Sequence, residues 1–253
     1  MIGRLALKTI SSALAISLLA GCASYFEIPI ETPIKPKLDV TPFQRVLIAG
    51  FISGGTEDVD GNVETTRLLR SQLRTKSGLR VIDTDVLPLV AAATEAKDGG
   101  ARPADAKEPE IKDDKDLEPL EHLFADVDYW KKIGEEYQNP LIVTGTVMFT
   151  PQSRSGFVQR EVEQFDSFGR RRVVPVRTFQ ERKGFRLKPK FVFIDGRTGT
   201  TLYSETFSEE VLYNANQSTP ALSSYFELMD RLIPSFLNTL SSQKVKGARV
   251  LLQ

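Results

Sequence analysis

Apolar residues gather in runs of strand length separated by stretches with helical spacing. Residues 44–51, QRVLIAGF, and 141–149, LIVTGTVMF, are nearly continuous apolar runs, the pattern of central strands buried on both faces. Val63, Thr66, Leu69 and Leu73 lie three, three and four positions apart, which sets them on one helix face. Asp60 or Asn62 caps that helix and Gly78 ends it. Residues 79–83 form a short second strand, and Asp85 caps a short helix over 86–96. Val127, Trp130, Ile133 and Tyr137 repeat the helical spacing until Asn139-Pro140 stops it. Residues 185–195 form a strand, 195–199 a tight turn and 200–209 the return strand. Thr219 caps a long helix with Pro220 at its first position. Leu222, Tyr225, Phe226, Met229, Ile233, Phe236, Leu237 and Leu240 line one face of it, and Pro234 kinks it. A short strand over 249–252 closes the chain.

The early strand–helix–strand spacing predicts parallel pairing with right-handed crossovers, and the later hairpins add antiparallel strands. The expected fold is α/β: a mixed parallel/antiparallel sheet flanked by helices, in a single domain over 43–253. Two insertions break the pattern. Residues 95–121 hold ten acidic and five basic residues, with Ile111, Leu117 and Leu120 as the only large apolar ones. That composition predicts a disordered acidic loop. Residues 154–190 hold eleven basic residues and four acidic ones. Here 158–165 and 172–180 flank the turn signal Asp166-Ser167-Phe168-Gly169. A long, protruding basic β-hairpin over 154–183 is expected.

The hairpin is the best candidate binding surface, through Arg170, Arg171, Arg172, Arg177, Arg182 and Lys183. Arginine holds carboxylate and phosphate bidentately. The plain alternative is a charged strand edge that resists aggregation.

Composition narrows the chemistry. Among 253 residues, 33 basic side chains balance 33 acidic ones, so no bulk charge draws the chain to nucleic acid, and no nucleic-acid partner is expected. One Cys and one His cannot build a His/Cys metal site. A Ser-His-Asp arrangement would have to use His122, at the edge of the acidic stretch. Asp58 to Glu64 is too short for a calcium loop. Gly54-Gly55 lacks the lysine of a phosphate loop. No catalytic residues, no metal, no cofactor and no enzymatic activity are therefore expected.

Arg4 and Lys8 precede a short apolar run, broadly 10–20, roughly half of the ~20 residues that span a bilayer. Residues 1–21 therefore read as a signal peptide. Its end, Leu19-Ala20-Gly21-Cys22, resembles the lipobox of bacterial lipoproteins. The resemblance implies cleavage before Cys22 and lipidation on it, with a thioether diacylglycerol and an amide-linked acyl chain such as palmitate. Multiple chains anchor stably. Ala23, with no Asp in the next two positions, implies the outer membrane, the domain facing the periplasm. Residues 22–42, with Pro29, Pro33, Pro36 and Pro42, read as an extended tether.

Three segments carry a second resemblance: VLIAGF with RVIDTDVL, LIVTGTV, and FVFIDGRTGTTLYSETF. Together they resemble the domain shared by the curli-secretion lipoprotein, the lipoprotein activators of penicillin-binding proteins and the amino-terminal domain of the Tol-system periplasmic protein. The resemblance covers most of 43–242 and implies a non-enzymatic interaction or scaffold domain that binds other envelope proteins or cell-wall polymer. The alternative it carries is an oligomeric secretion-channel subunit of the curli type. Against that, one hairpin face holds Phe157, Gln159, Glu161, Glu163 and Phe165, and the other Val158, Arg160, Val162, Gln164 and Asp166. A lipid-facing barrel strand needs one consistently apolar face, and a mid-membrane Arg costs ~2–4 kcal/mol.

Overall fold

The structure, a computed structural model, describes residues 25–98, 110–214, 217 and 219–252. Cys22, residues 1–21 and 99–109 of the acidic stretch lie outside the described residues. The chain divides into two compact units, one spanning 36–241 and the other built from its two ends.

In the larger unit, β2 (Arg45–Gly55) lies between β3 (Arg80–Ile82) and β4 (Leu141–Phe165), parallel to both. β5 (Arg171–Asp195) runs antiparallel to β4. β6 (Thr201–Thr206) and β7 (Glu209–Asn214) follow one another along the outer edge of β5. The expected mixed sheet is thus present, with one change. The return strand foreseen over 200–209 ends at Thr206, and an unforeseen strand, β7, follows after Phe207, whose N–H donates to the Pro189 carbonyl at 2.9 Å.

Helices cover both faces because β2 and β4 are apolar on both. Val46, Ile48 and Phe51 join the cluster under α1 (Gly61–Lys76) and α5 (Ala221–Leu240). Leu47, Ala49 and Ile52 join the cluster on the opposite face. Strict alternation would put Gly50, not Phe51, with Val46 and Ile48. A β-bulge between Ile48 and Gly50 inserts one residue and delivers Phe51 to the first face. Asp60 caps α1, accepting from the Val63 N–H at 3.0 Å. Asn62 instead accepts from the Phe51 N–H at 2.7 Å, fastening the bulge to the helix.

Several boundaries differ from the sequence expectation. Ser77, not Gly78, caps the end of α1, and Val63 is exposed rather than core. The second helix, α2 (Leu89–Asp98), starts beyond Val86, and Asp85 does not cap it. Pro220 occupies the cap position of α5 rather than its first turn, and Leu222 is exposed.

The largest correction concerns the acidic stretch. Residues 110–121 are ordered, with α3 (Asp114–Leu117) running into a 3-10 helix (Glu118–Ala125) before α4 (Val127–Glu136). Ile111, Leu117 and Leu120 are buried beside Leu123, Phe124 and Trp130 in the core of the second face. Those few apolar residues suffice because they complete an existing core instead of forming their own. The acidic residues point outward, and Asp114 and Glu121 pair with Lys188 and Lys190 of β5 at 2.6 and 2.8 Å.

The smaller unit is a two-stranded antiparallel ribbon of β1 (Tyr25–Ile34) and β8 (Gln243–Leu252). Much of the expected tether is therefore a paired strand, and the closing strand is longer than 249–252. Tether composition misled because Pro29 and Pro33 do not prevent pairing along an edge.

Candidate functional site: the basic hairpin

β4 and β5 are each continuous from the core to the hairpin tip. The pairing of β2 with β4 ends at Phe149, and that of β7 with β5 covers only Arg182 to Leu187. Beyond them, 156–165 and 171–180 pair with each other alone. At about 3.4 Å per residue this free ladder is on the order of 30 Å long.

Asp166 builds the turn. Its backbone N–H donates to the Arg170 carbonyl at 3.0 Å, and its carbonyl accepts from Gly169 at 2.9 Å. Its carboxylate accepts from the backbone N–H groups of Phe168 and Arg170, both at 2.9 Å, and from Arg170 Nε at 3.0 Å. These donors, the Arg170 N–H foremost, hold the Asp166 carboxyl below the usual carboxylate range.

The structure does not bring the six basic residues into one cluster. Strand alternation puts Arg171, Arg177 and Lys183 on one face and Arg172 and Arg182 on the other. Arg170 sits in the turn. Several are engaged locally. Arg170 pairs with Asp166, Arg171 with Glu163, and Lys183 with Glu181 at 3.2 Å. Arg182 donates to Gln180 at 3.2 Å.

The first face also carries aromatics that the charge-based reading left out of the site. Phe157 and Phe179 are cross-strand partners with ring centroids 5.4 Å apart, at 71°. Arg177 stacks over Phe157, 4.6 Å from its centroid, a cation–π contact. At the tip, Arg170 lies 5.3 Å over the Phe168 ring. Phe157, Phe165, Phe168 and Phe179 are 62%, 72%, 81% and 57% exposed, far beyond what a folded core leaves in water. The signal was available: Phe157 and Phe179 stand equally far from the turn centre.

Other candidates resolve into structure. Two carboxylates of the calcium-like loop are taken up locally: Thr56 Oγ1 donates to Asp58 at 3.0 Å, and Asp60 caps α1. Gly54 lets the 110–112 segment approach, and Gly55 lets β2 lie close against Phe149 of β4. A Cβ on Gly54 would lie 2.4 Å from Ile111, and one on Gly55 2.0 Å from the Phe149 carbonyl oxygen. The Gly55 N–H donates to Ile111 at 2.9 Å. A cavity of about 440 Å³ lies beside this crossing, at the end of β2. Its charged lining is acidic, Glu57, Asp60 and Glu110, unlike a phosphate site. His122 is exposed and hydrogen-bonds through Nδ1 to the Pro119 carbonyl at 2.7 Å. Among the described residues no group of three or more His, Cys, Asp or Glu could hold a metal. Among them, too, no helix is long and apolar enough to cross a membrane.

No protein-family model matches the chain, and no curated protein sequence matches it. Several chains of solved structures are similar in outline, and two illustrate the likeness. One is lipoprotein GNA1162 from Neisseria meningitidis, with 13% identity, a TM-score of 0.34, and coverage of 77% of this chain and 98% of that one. The other is described as a neuraminyllactose-binding hemagglutinin homolog from Helicobacter pylori, with 9% identity, a TM-score of 0.33, and coverage of 81% and 86%. At such scores and identities neither likeness assigns a function to this chain.

Proposed function

We propose that the chain is a lipid-anchored bacterial envelope protein, held through Cys22 at the outer membrane and facing the periplasm. Its α/β domain is non-enzymatic and presents the hairpin to other envelope proteins or to anionic cell-wall polymer. The carrying observation is the free ladder over 156–165 and 171–180. It adds nothing to either core, yet the ladder displays three exposed Phe rings among arginines, and the turn a fourth, Phe168. Protein interfaces are enriched in aromatic residues, Phe included, and in Arg, whereas a plain solvated edge would not need the rings.

Replacing Arg170, Arg171 and Arg172 with Glu is expected to abolish retention of envelope partners in cross-linked pull-downs. Arg172→Glu alone leaves the Asp166 and Glu163 pairs intact and is expected to weaken retention without loosening the turn. Unchanged partners in both variants would reduce the hairpin to a charged edge.

The open edges of the free ladder favour one second reading, an oligomeric channel subunit joined hairpin to hairpin. The mixed faces weigh against a membrane barrel: Arg160 and Arg172 lie on one, Glu161, Glu163 and Arg177 on the other. Light scattering of the lipidated protein in mild detergent, with detergent subtracted, is expected to give a monomer or dimer. A single large closed oligomer would reverse the order of the two readings.

A further inference from the structure

The ribbon of β1 and β8 sorts its residues by face. Alternation along β1 places Ile28, Ile30 and Ile34 on one face and Glu27 and Glu31 on the other. The register sets Arg249 opposite Ile28 and Gly247 opposite Ile30, and Lys246 opposite Glu31. Lys246 and Glu31 approach to 4.0 Å. The isoleucines are 40%, 39% and 52% exposed. A two-stranded ribbon with a bare apolar face is marginal in water by itself.

The position of Cys22 argues for what covers that face. Cys22 precedes Tyr25, the first residue of β1, by three positions, a reach of at most ~10 Å. An acylated Cys22 therefore keeps the ribbon at the bilayer surface. Both glutamates face away from the isoleucines, with Lys246 beside Glu31, and Arg249 stands among the isoleucines, where a long cationic side chain can rest its stem on apolar surface and reach phosphate. A third strand from another copy fits less well, because Pro29 and Pro33 remove two backbone donors from β1.

We propose that the Ile28, Ile30 and Ile34 face of the ribbon lies on the bilayer that holds the Cys22 acyl chains, with Arg249 meeting lipid phosphate. The inference rests on the reading of Cys22 as acylated. Because the chain has one Cys, acylation leaves an introduced cysteine as its sole thiol. Full-length lipidated protein carrying Ile30→Cys or Ala248→Cys, the latter on the opposite face, is spin-labelled in phosphatidylethanolamine–phosphatidylglycerol vesicles. Ile34→Cys serves as a second position on the apolar face.

Labels at 30 and 34 are expected to be several-fold less accessible to an aqueous nickel reagent than the label at 248, and more accessible to oxygen. Equal accessibility at all three, with Cys22 acylated, overturns the ribbon assignment alone. Shielding accompanied by spin–spin broadening shows a second copy on the face and also overturns it. Labelling of the unsubstituted protein reveals a free Cys22, which removes the anchor and the bilayer assignment together.

Discussion

Replacing Gly145 with Ala is expected to unfold the α/β domain or to cost it at least about 3 kcal/mol. Gly145 sits near the start of β4, between Phe51 of β2 and Phe191 of β5. Its φ is 145°, a conformation that side chains rarely adopt. A Cβ there would stand 1.7 Å from the Lys190 carbonyl oxygen, so strain and collision fall on one atom. Relief would require separating β4 from β5 at the centre of the sheet. Gly156, farther along the same strand, has nothing within 4 Å of its Cβ position. Gly156→Ala is therefore expected to shift stability by no more than about 1 kcal/mol. Urea denaturation of the two variants side by side reads the contrast. Equal midpoints would mean that β4 and β5 do not pair in this register.

The second large effect is expected at Trp130. The side chain is fully buried, and its Nε1 donates to the Leu123 carbonyl at 2.7 Å. Tyr129 meets its ring edge-on at 5.0 Å. Around it lie Ile111, Leu117, Leu120 and Phe124, the apolar residues of the acidic stretch and its continuation. Trp130→Ala removes both the ring volume and the donor and is expected to cost about 3–5 kcal/mol. The loss should be local first: amides over 110–125 are expected to lose hydrogen-exchange protection before those of β2 and β4. Trp130→Phe keeps most of the volume and leaves the Leu123 carbonyl its bond from the Asp126 N–H at 3.1 Å, so losing the indole donor is expected to cost only about 1 kcal/mol. If exchange over 110–125 is already fast in the unsubstituted protein, the segment is not held as described.

The two regions show why some of the structure was legible in the sequence and some was not. Residues 44–51 and 141–149 announce central strands because both faces must be apolar, and no other element places so many apolar residues in succession. The hairpin was legible because Asp166 and Gly169 mark its turn and the flanking residues alternate about it. Residues 110–121 were misread for a physical reason. Their three large apolar side chains are too few to order a segment in isolation, and sequence composition counts a segment in isolation. The decisive contact, Ile111 against Gly54 and Gly55, joins positions far apart in the chain. The ribbon failed similarly: the partner of β1 lies at the opposite end of the chain. Within the candidate site, positive charge located the hairpin but hid its sidedness. The pairing of Gln159 with Arg177 and Gln164 with Arg172 fixes which residues of β4 share a face with each arginine.

The continuity of β4 and β5 from core to tip has a consequence for how the hairpin can vary. Every side chain beyond Phe149 inherits its face from the core, where inside and outside are fixed by burial. Removing one residue from each arm would preserve the pairing but exchange the two faces of everything farther out. Removing two from each arm would restore them. The reach of this domain can therefore lengthen or shorten without scrambling its presented surface only in increments of about 7 Å, like a ruler with fixed divisions.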